Sequence, residues 1–465
     1  MRDHSQHIQL SREEAVAETL AVLDAQPDGF GWRGALAAAA GTPADKVHAR
    51  EVARKLVEQV PLAESVGRVL AYDVVAQTDM PNTLTCAMDS VALHWSDFEG
   101  LAEGEVPDTS AWVRGRDWQF ANTGVAMPEG FDTAIVIEHV QVSADEQHIV
   151  IDAAPSAQGA GTRPVGSTMR RGDVLGAAGT LVTPDIAARM GSGNNGTVAV
   201  VRRPRVAFIP TGNELIAPGV PFDPERPEAF AARGKNFETN SVLVRAKCEK
   251  WGGQFVPFDI VADRRDAIEA AIARAVELAD IVVLNAGSSK GSDDWSCEVM
   301  EQMGQMICHQ TNHGPGHHSS FAVVDGTPIV GISGPSAGAS FTLNFYLRPL
   351  MRAFAGLEPE VARTPMVLAE AFPAGGPGGP RKHGGPVRGE DRPAEHPAHE
   401  PGKPEFFGIK MLRAEHAEDG TLRAWPVPGR PGSPESYTAN AYYMLPNGPG
   451  IEPPKPGDVI MAEWR

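Results

Sequence analysis

The chain has 465 residues, 42% of them hydrophobic, enough to fill about three cores of ordinary size. A formal net charge of −18 excludes the basic face of a nucleic-acid scaffold and adhesion to an acidic membrane, and no apolar run reaches the ~20 residues that cross a bilayer. The polar opening MRDHSQHIQL holds no secretory signal, and Cys86, Cys248, Cys297 and Cys308 form no CxxC pair, so a soluble cytoplasmic protein with reduced thiols is expected.

SREEAVAETLAVL (11–23) repeats apolar residues at helical spacing behind a Ser cap, with Glu three positions on. An Ala-rich segment and a second helical stretch over 44–59 follow, then a short helix and a strand in VPLAESVGRVLAYDVVAQ. Between 77 and 173, short β-branched runs such as TAIVIEHVQV and HIVIDA alternate with Gly, Pro and Asp, which predicts a small β domain. AAGTLVTPDIAARMGSGNNGTVAVV (177–201) reads as turn, helix, turn and strand.

From 205 strands and helices alternate: RVAFIP, helix 239–251, QFVPFDIV, helix 264–279, DIVVLNAG, helix 294–304, TPIVGISG and a helix over 336–355. This order predicts parallel βαβ units in a doubly wound α/β domain. Residues 373–404 hold little except Gly, Pro, His and charges and read as a disordered insertion, with metal capture by its histidines as the alternative. The tail returns to short strands, a last small β domain.

In a doubly wound sheet, ligands bind outside the carboxyl ends of the strands. Three loops rich in small residues fall there: TGNEL (211–215), AGSSKGSDDW (286–295) and SGPSAGAS (333–340). Glycines such as Gly212, Gly287 and Gly291 let backbone approach a ligand, and helix N-termini beyond Thr211 and Ser289 offer N–H groups to an anion. Tight βα turns would need the same glycines. The loops also carry Glu214, Asp293 and Asp294, with Asp263 after the intervening strand. Carboxylates beside an anion call for a bridging cation, usually Mg²⁺, and Glu214 with Asp294 are its candidate ligands. Asp293 by itself is a routine helix cap. HGPGHHSSF (313–321) leaves three readings open: a zinc site with Cys308, His309, His313 and His317, a ligand-lining loop with one or two working imidazoles, or solvated histidines.

The chain resembles the MoeA family, which includes the E domain of gephyrin. TCAMDSVAL resembles the family's NSAMDGYAV, and NTGVAMPEGFDTAIVIE its TGAPLPEGADAVV segment. RRGDVLGAAGTLVTPDIAARMG is similar to RxxGEDI followed by GxxLTPxxIxxLA, and RPRVAFIPTGNELIAPG to PRVAxxxTGDEL. FETN, ADRR, GSSKGSDDW, GPGHH and GISGPSAGA then follow in family order, from about 60 to the end. The resemblance implies a multidomain α/β fold: a discontinuous helical and extended domain (7–76 and 174–204), an inserted β domain (77–173), a doubly wound molybdopterin-binding-like domain (205–356) and a C-terminal β domain (357–465).

It implies insertion of molybdate into adenylylated molybdopterin with release of AMP, in a Mg²⁺-dependent homodimer. A molybdopterin-adenylylating protein and molybdenum enzymes are the implied partners. Asp89, Glu214 and Asp294 are the implied catalytic residues, with Thr123, Asp173, Thr211, Gly212, Asp263, Gly287, Ser289, Gly291, His317 and Ser433 binding substrate. The chain departs from the family where Gly314 and His317 replace the lysines of KPGKP, and where Pro335 and Gly338 replace Asn and Ser of GLPGNPVSA. These changes keep a second reading open, a non-catalytic molybdopterin carrier or a variant using another oxyanion.

Overall fold

The computed structural model describes residues 8–102, 104–285, 295–373 and 405–465. Of the expected features, Gly287, Ser289, Gly291, Asp293, Asp294 and the insertion from 374 lie outside the described residues. The chain divides into two compact units, residues 57–201 and the remainder.

In the first unit, Val57–Pro61 pairs antiparallel with Thr197–Val201. Its alternate residues Val60, Val198 and Val200 pack on Leu70, Leu175 and Met190. A three-stranded sheet follows, with Ser90–Leu93 between Trp118–Ala121 and Thr133–Val136. Val91, Leu93, Trp118 and Ile135 fill its core with Ile149 and Ile151 of a separate hairpin.

The second unit is built on six strands: β1 (Arg205–Ile209), β2 (Gln254–Pro257), β3 (Ile281–Asn285), β4 (Gln305–Cys308), β5 (Ser320–Val324) and β6 (Thr327–Ile332). Their order is β2-β1-β3-β6-β5-β4. The first four in that order are parallel, as the βαβ alternation predicts. β5 and β4 are antiparallel additions that the sequence reading missed, because QMIC is short and both flank the histidine-rich loop. Apolar runs such as IVVLN are buried throughout because helices cover both faces. Ile268, Ile272 and Ala275 of Arg265–Leu278 cover Ala207, Ile209, Val282 and Leu284 on one face. Arg12–Asp24, Asn240–Lys250 and the helix from Ser336 contact the sheet as well.

Three differences from expectation matter. The Ala-rich segment is itself a helix, Gly31–Ala39. The helices up to Leu56 belong with the doubly wound unit, whereas the sequence reading joined them to 57–76 and 174–204. Their apolar faces explain this: Phe30 meets Phe354 edge-on at 5.6 Å, and Leu20, Leu23 and Trp32 are buried. The last helix is interrupted by a π turn, Leu343–Leu347, between Ser336–Thr342 and Arg348–Phe354.

The C-terminal strands β7 (Thr364–Leu368), β8 (Phe406–His416), β9 (Leu422–Pro426), β10 (Ala441–Asn447) and β11 (Val459–Trp464) close into a five-stranded barrel, since β8 pairs with both β9 and β10. Closure leaves no free edge among these strands. Small inward residues, Ala414, Ala424, Ala441 and Ala462, suit so narrow a barrel. Barrel and α/β layer are tied by the buried ion pair Arg12–Glu463, with Tyr442 donating to Glu463 at 2.6 Å.

Candidate functional site

The ends of β1, β3 and β6 are stitched together by amides. Thr211 Oγ1 donates to the Asn285 carbonyl, and Asn285 Nδ2 donates back to the Thr211 carbonyl at 3.3 Å. Asn240, first residue of its helix, donates from Nδ2 to Asn285 Oδ1 and to the Gly334 carbonyl, both at 2.9 Å. Asn240 is 4% exposed, and its Oδ1 is buried with no partner. An unpaired buried acceptor costs about 1–3 kcal/mol, which points to a ligand donor at this place. Neither Asn240 nor Asn285 was singled out from sequence, although FETN and VVLNAG carry both.

Beside this network the TGNEL loop folds back on itself. Asn213 N donates to Asp263 Oδ2 at 2.9 Å, and Asp263 N to Asn213 Oδ1 at 3.2 Å, so Asp263 holds the loop. Lys235 Nζ closes it with a bond to the Asn213 carbonyl at 2.8 Å. A Cβ at Gly212 would lie 2.8 Å from Glu214 Oε2, so glycine is what lets that exposed carboxylate lie back over the loop. Buried Glu238 accepts from Ser241 N at 2.9 Å and caps the helix start.

The third loop faces HGPGHH. Gly316, at φ +106°, packs against Gly338, where a Cβ would come within 3.4 Å of Gly316 N and 2.4 Å of Ser333 Oγ. The missing side chain at 338 thus makes room for Ser333 Oγ, which is buried without a partner. Pro335, at the cap position, offers no side-chain bond to the helix start and leaves its N–H groups for an anion. Gly432 of the barrel approaches Ala337, and the neighbouring Ser433 Oγ is buried without a partner. Two orphaned oxygens, Asn240 Oδ1 and Ser333 Oγ, therefore border one loop.

The zinc reading of the histidines is corrected by their placement. His309 is tied to Glu301 and accepts from Ile8 N at 3.2 Å. Burial pushes the Cys308 thiol up to about 12, far from a thiolate. His313 is fully buried, its Nδ1–H donating to the Pro315 carbonyl at 3.3 Å and its Nε2 accepting from Tyr346 Oη at 2.8 Å. Burial lowers its pKa to about 3, so it is a neutral packing residue. Only His317 and His318 remain half-buried on the loop, ring centroids 3.7 Å apart. Gly314 belongs to a two-residue strand paired with β8, and a Cβ there would lie 2.8 Å from the Phe406 ring.

In the 57–201 unit, two expected residues meet. Asp89 Oδ1 accepts from both the backbone N and the Oγ1 of Thr123, each at 2.9 Å, and these bonds hold the exposed carboxyl below its ordinary range. Asp173 does something else: its Oδ2 accepts from Arg170 N at 2.7 Å across a turn at Gly172, so the described contacts make it a turn residue. Among the described residues no group of three His, Cys, Asp or Glu side chains is arranged to hold a metal.

Two family profiles match the chain in order. Residues 35–192 match the MoeA N-terminal region (domain I and II), and residues 207–353 match a probable molybdopterin binding domain. The molybdopterin molybdenumtransferase of Bacillus subtilis is 25% identical over 431 residues, covering 88% of this chain and 91% of that protein. That of Haemophilus influenzae is 25% identical over 319 residues, covering 65% and 76%. The fold is shared with the molybdopterin biosynthesis MoeA protein of Pyrococcus horikoshii OT3, with a TM-score of 0.64 at 19% identity over 98% of this chain and 100% of that one.

Proposed function

The chain is a divergent member of the MoeA family, and from that premise we propose that it serves molybdenum cofactor biosynthesis as a molybdopterin molybdenumtransferase. Its substrates are adenylylated molybdopterin and molybdate, and its products the molybdenum cofactor and AMP. The observation that carries this reading is the match of 207–353 to a molybdopterin-binding profile, with the amide-stitched strand ends and their two orphaned oxygens inside it.

Thr211 and the start of the helix at Ser336 supply donors to substrate oxygens, Gly212, whose own N–H is taken by the Val261 carbonyl, lets backbone approach them, and Gly287, Ser289 and Gly291 contribute likewise. Asp263 keeps the Glu214 loop in place. Mg²⁺ is usually held by a carboxylate or two and completed by substrate phosphate, and here the exposed Glu214 carboxylate, with Asp294 from outside the described residues, would hold it. Held there, Mg²⁺ would supply positive charge against the phosphoanhydride oxygens. His317 and Ser433 line the oxyanion side. The protein works as a cytoplasmic homodimer, Asp89 and Thr123 of one subunit completing the crevice of the other, between an adenylylating protein and molybdenum enzymes.

The test is AMP release from adenylylated molybdopterin by purified wild type and Glu214→Gln, with Mg²⁺ varied and molybdate present or absent. The variant should fall at least ~10-fold, about 1.4 kcal/mol in the reaction's barrier, and need more Mg²⁺. An unchanged rate removes Glu214 from the mechanism; tight substrate binding without AMP release by wild type overturns the transferase reading.

A further inference from the structure

The far half of the helix Asn240–Lys250 carries cations that the crevice does not use. Lys247 is half-buried, and its Nζ donates to Asn344 Oδ1 at 2.6 Å, which occupies one of an ammonium's three donors. That Nζ lies 5.2 Å from the centre of the Trp251 ring, and the Arg348 guanidinium lies 5.9 Å from the same ring. Lys250 and Arg465 add their like charges around Lys247. Arg465 donates to the Ser436 carbonyl at 3.1 Å, so its position is set by the end of the barrel. Among the described residues none of these four cations is in an ion pair; the pair on this helix is Arg245–Glu249, at 4.0 Å.

Such a grouping is costly as it stands. Lys247 and Arg348 are half-buried, Lys250 and Arg465 exposed, and the half-buried pair repel in a medium that screens them less than water does. Burial and the neighbouring cations together lower the Lys247 pKa from 10.5 to about 8. In a chain with a net charge of −18, two half-buried cations outside any ion pair, flanked by two exposed ones, need an explanation, and an anion supplies it. Guanidinium forks and an ammonium together suit the oxygens of a tetrahedral dianion.

We propose that Lys247, Arg348 and Arg465, with Lys250 at the rim, form a second anion site that takes a phosphate dianion. It is separate from the crevice: Lys247 is seven residues along the helix from Asn240, ~10 Å at 1.5 Å per residue. It is built from two helices of the α/β layer and the last residue of the barrel, so its ligand fastens one to the other. The indole is already covered by two cations, so a nucleotide base gains nothing there and the bare dianion is the ligand.

Full-length protein is labelled with acetic anhydride from about pH 6.5 to 10, with and without millimolar inorganic phosphate, and acetylation of Lys247 is read by mass spectrometry. Phosphate should move the Lys247 midpoint upward by about one unit, because the anion favours the ammonium. Calorimetry of phosphate binding should show at least ~10-fold weakening in Lys247→Gln and in Arg348→Gln, and none in the crevice variant Asn240→Ala. A Lys247 profile indifferent to phosphate overturns the site, as does phosphate binding lost in Asn240→Ala but kept in the other two. AMP binding ~10-fold more tightly than phosphate at Lys247 overturns the assignment to the bare dianion.

Discussion

Acidification from about pH 7.5 to 5 should weaken this fold through His313. The imidazole is fully buried beside Phe345 and Tyr346, and both ring nitrogens are engaged in the neutral tautomer. Burial lowers its pKa to about 3, whereas an unfolded imidazole titrates near ~6.5. Between those values the unfolded chain binds a proton that the folded chain refuses. Stability is therefore complete above the unfolded value and falls as pH falls, by ~1.4 kcal/mol per unit, or ~2 kcal/mol at pH 5. Asp280 acts in a different window. The Arg202 guanidinium, against the effect of burial, holds its carboxyl below the ordinary value, so its contribution is lost only as pH falls below the carboxylate range. Urea unfolding followed by tryptophan fluorescence, at several pH values between 7.5 and 5, separates the two. His313→Gln removes the titrating group while keeping a polar atom for Tyr346. The variant should start less stable and lose ~2 kcal/mol less than wild type across that range. Parallel losses in the two proteins would refute the assignment.

Asp280→Asn should be among the most damaging single changes, since the carboxylate receives both Arg202 nitrogens and Arg205 N, each at 2.7 Å. Stranding Arg202 should cost ~3–5 kcal/mol, read as a drop in the unfolding midpoint. On the oxyanion side, molybdate-dependent AMP release should be faster near pH 6 than pH 8, because only a protonated imidazole replaces an ammonium. His317→Lys should flatten that profile; fast release by wild type at pH 8 would remove His317 from oxyanion binding. Adding Gly314→Lys should restore less than a second lysine normally would, because its Cβ must displace Phe406, and the thermal midpoint should fall with it.

The resemblance to the MoeA family was legible in the sequence because local signals agree with tertiary ones. Alternating apolar strands and helices set the four parallel strands, and the TGNEL loop follows directly from a buried strand. The pairing of Asp89 with Thr123 was implicit in two motifs, yet the bond exists only because their strands are neighbours in one sheet. Other outcomes belong to packing alone. β4 and β5 carry no helix between them to mark a βαβ unit, and they form because β6 offers β5 an edge and β5 offers one to β4. The histidines look alike in sequence, but burial makes His313 a neutral core residue, an acid partner takes His309, and the loop leaves His317 half-exposed. Asn240 carries no signal of its own; its importance comes from two strand ends, 45 and 94 residues away, converging on one amide. Periodicity and turn chemistry act over a few residues and so are written in the chain, whereas the charge state of a side chain and the partners of a polar atom depend on which distant segments exclude water from it.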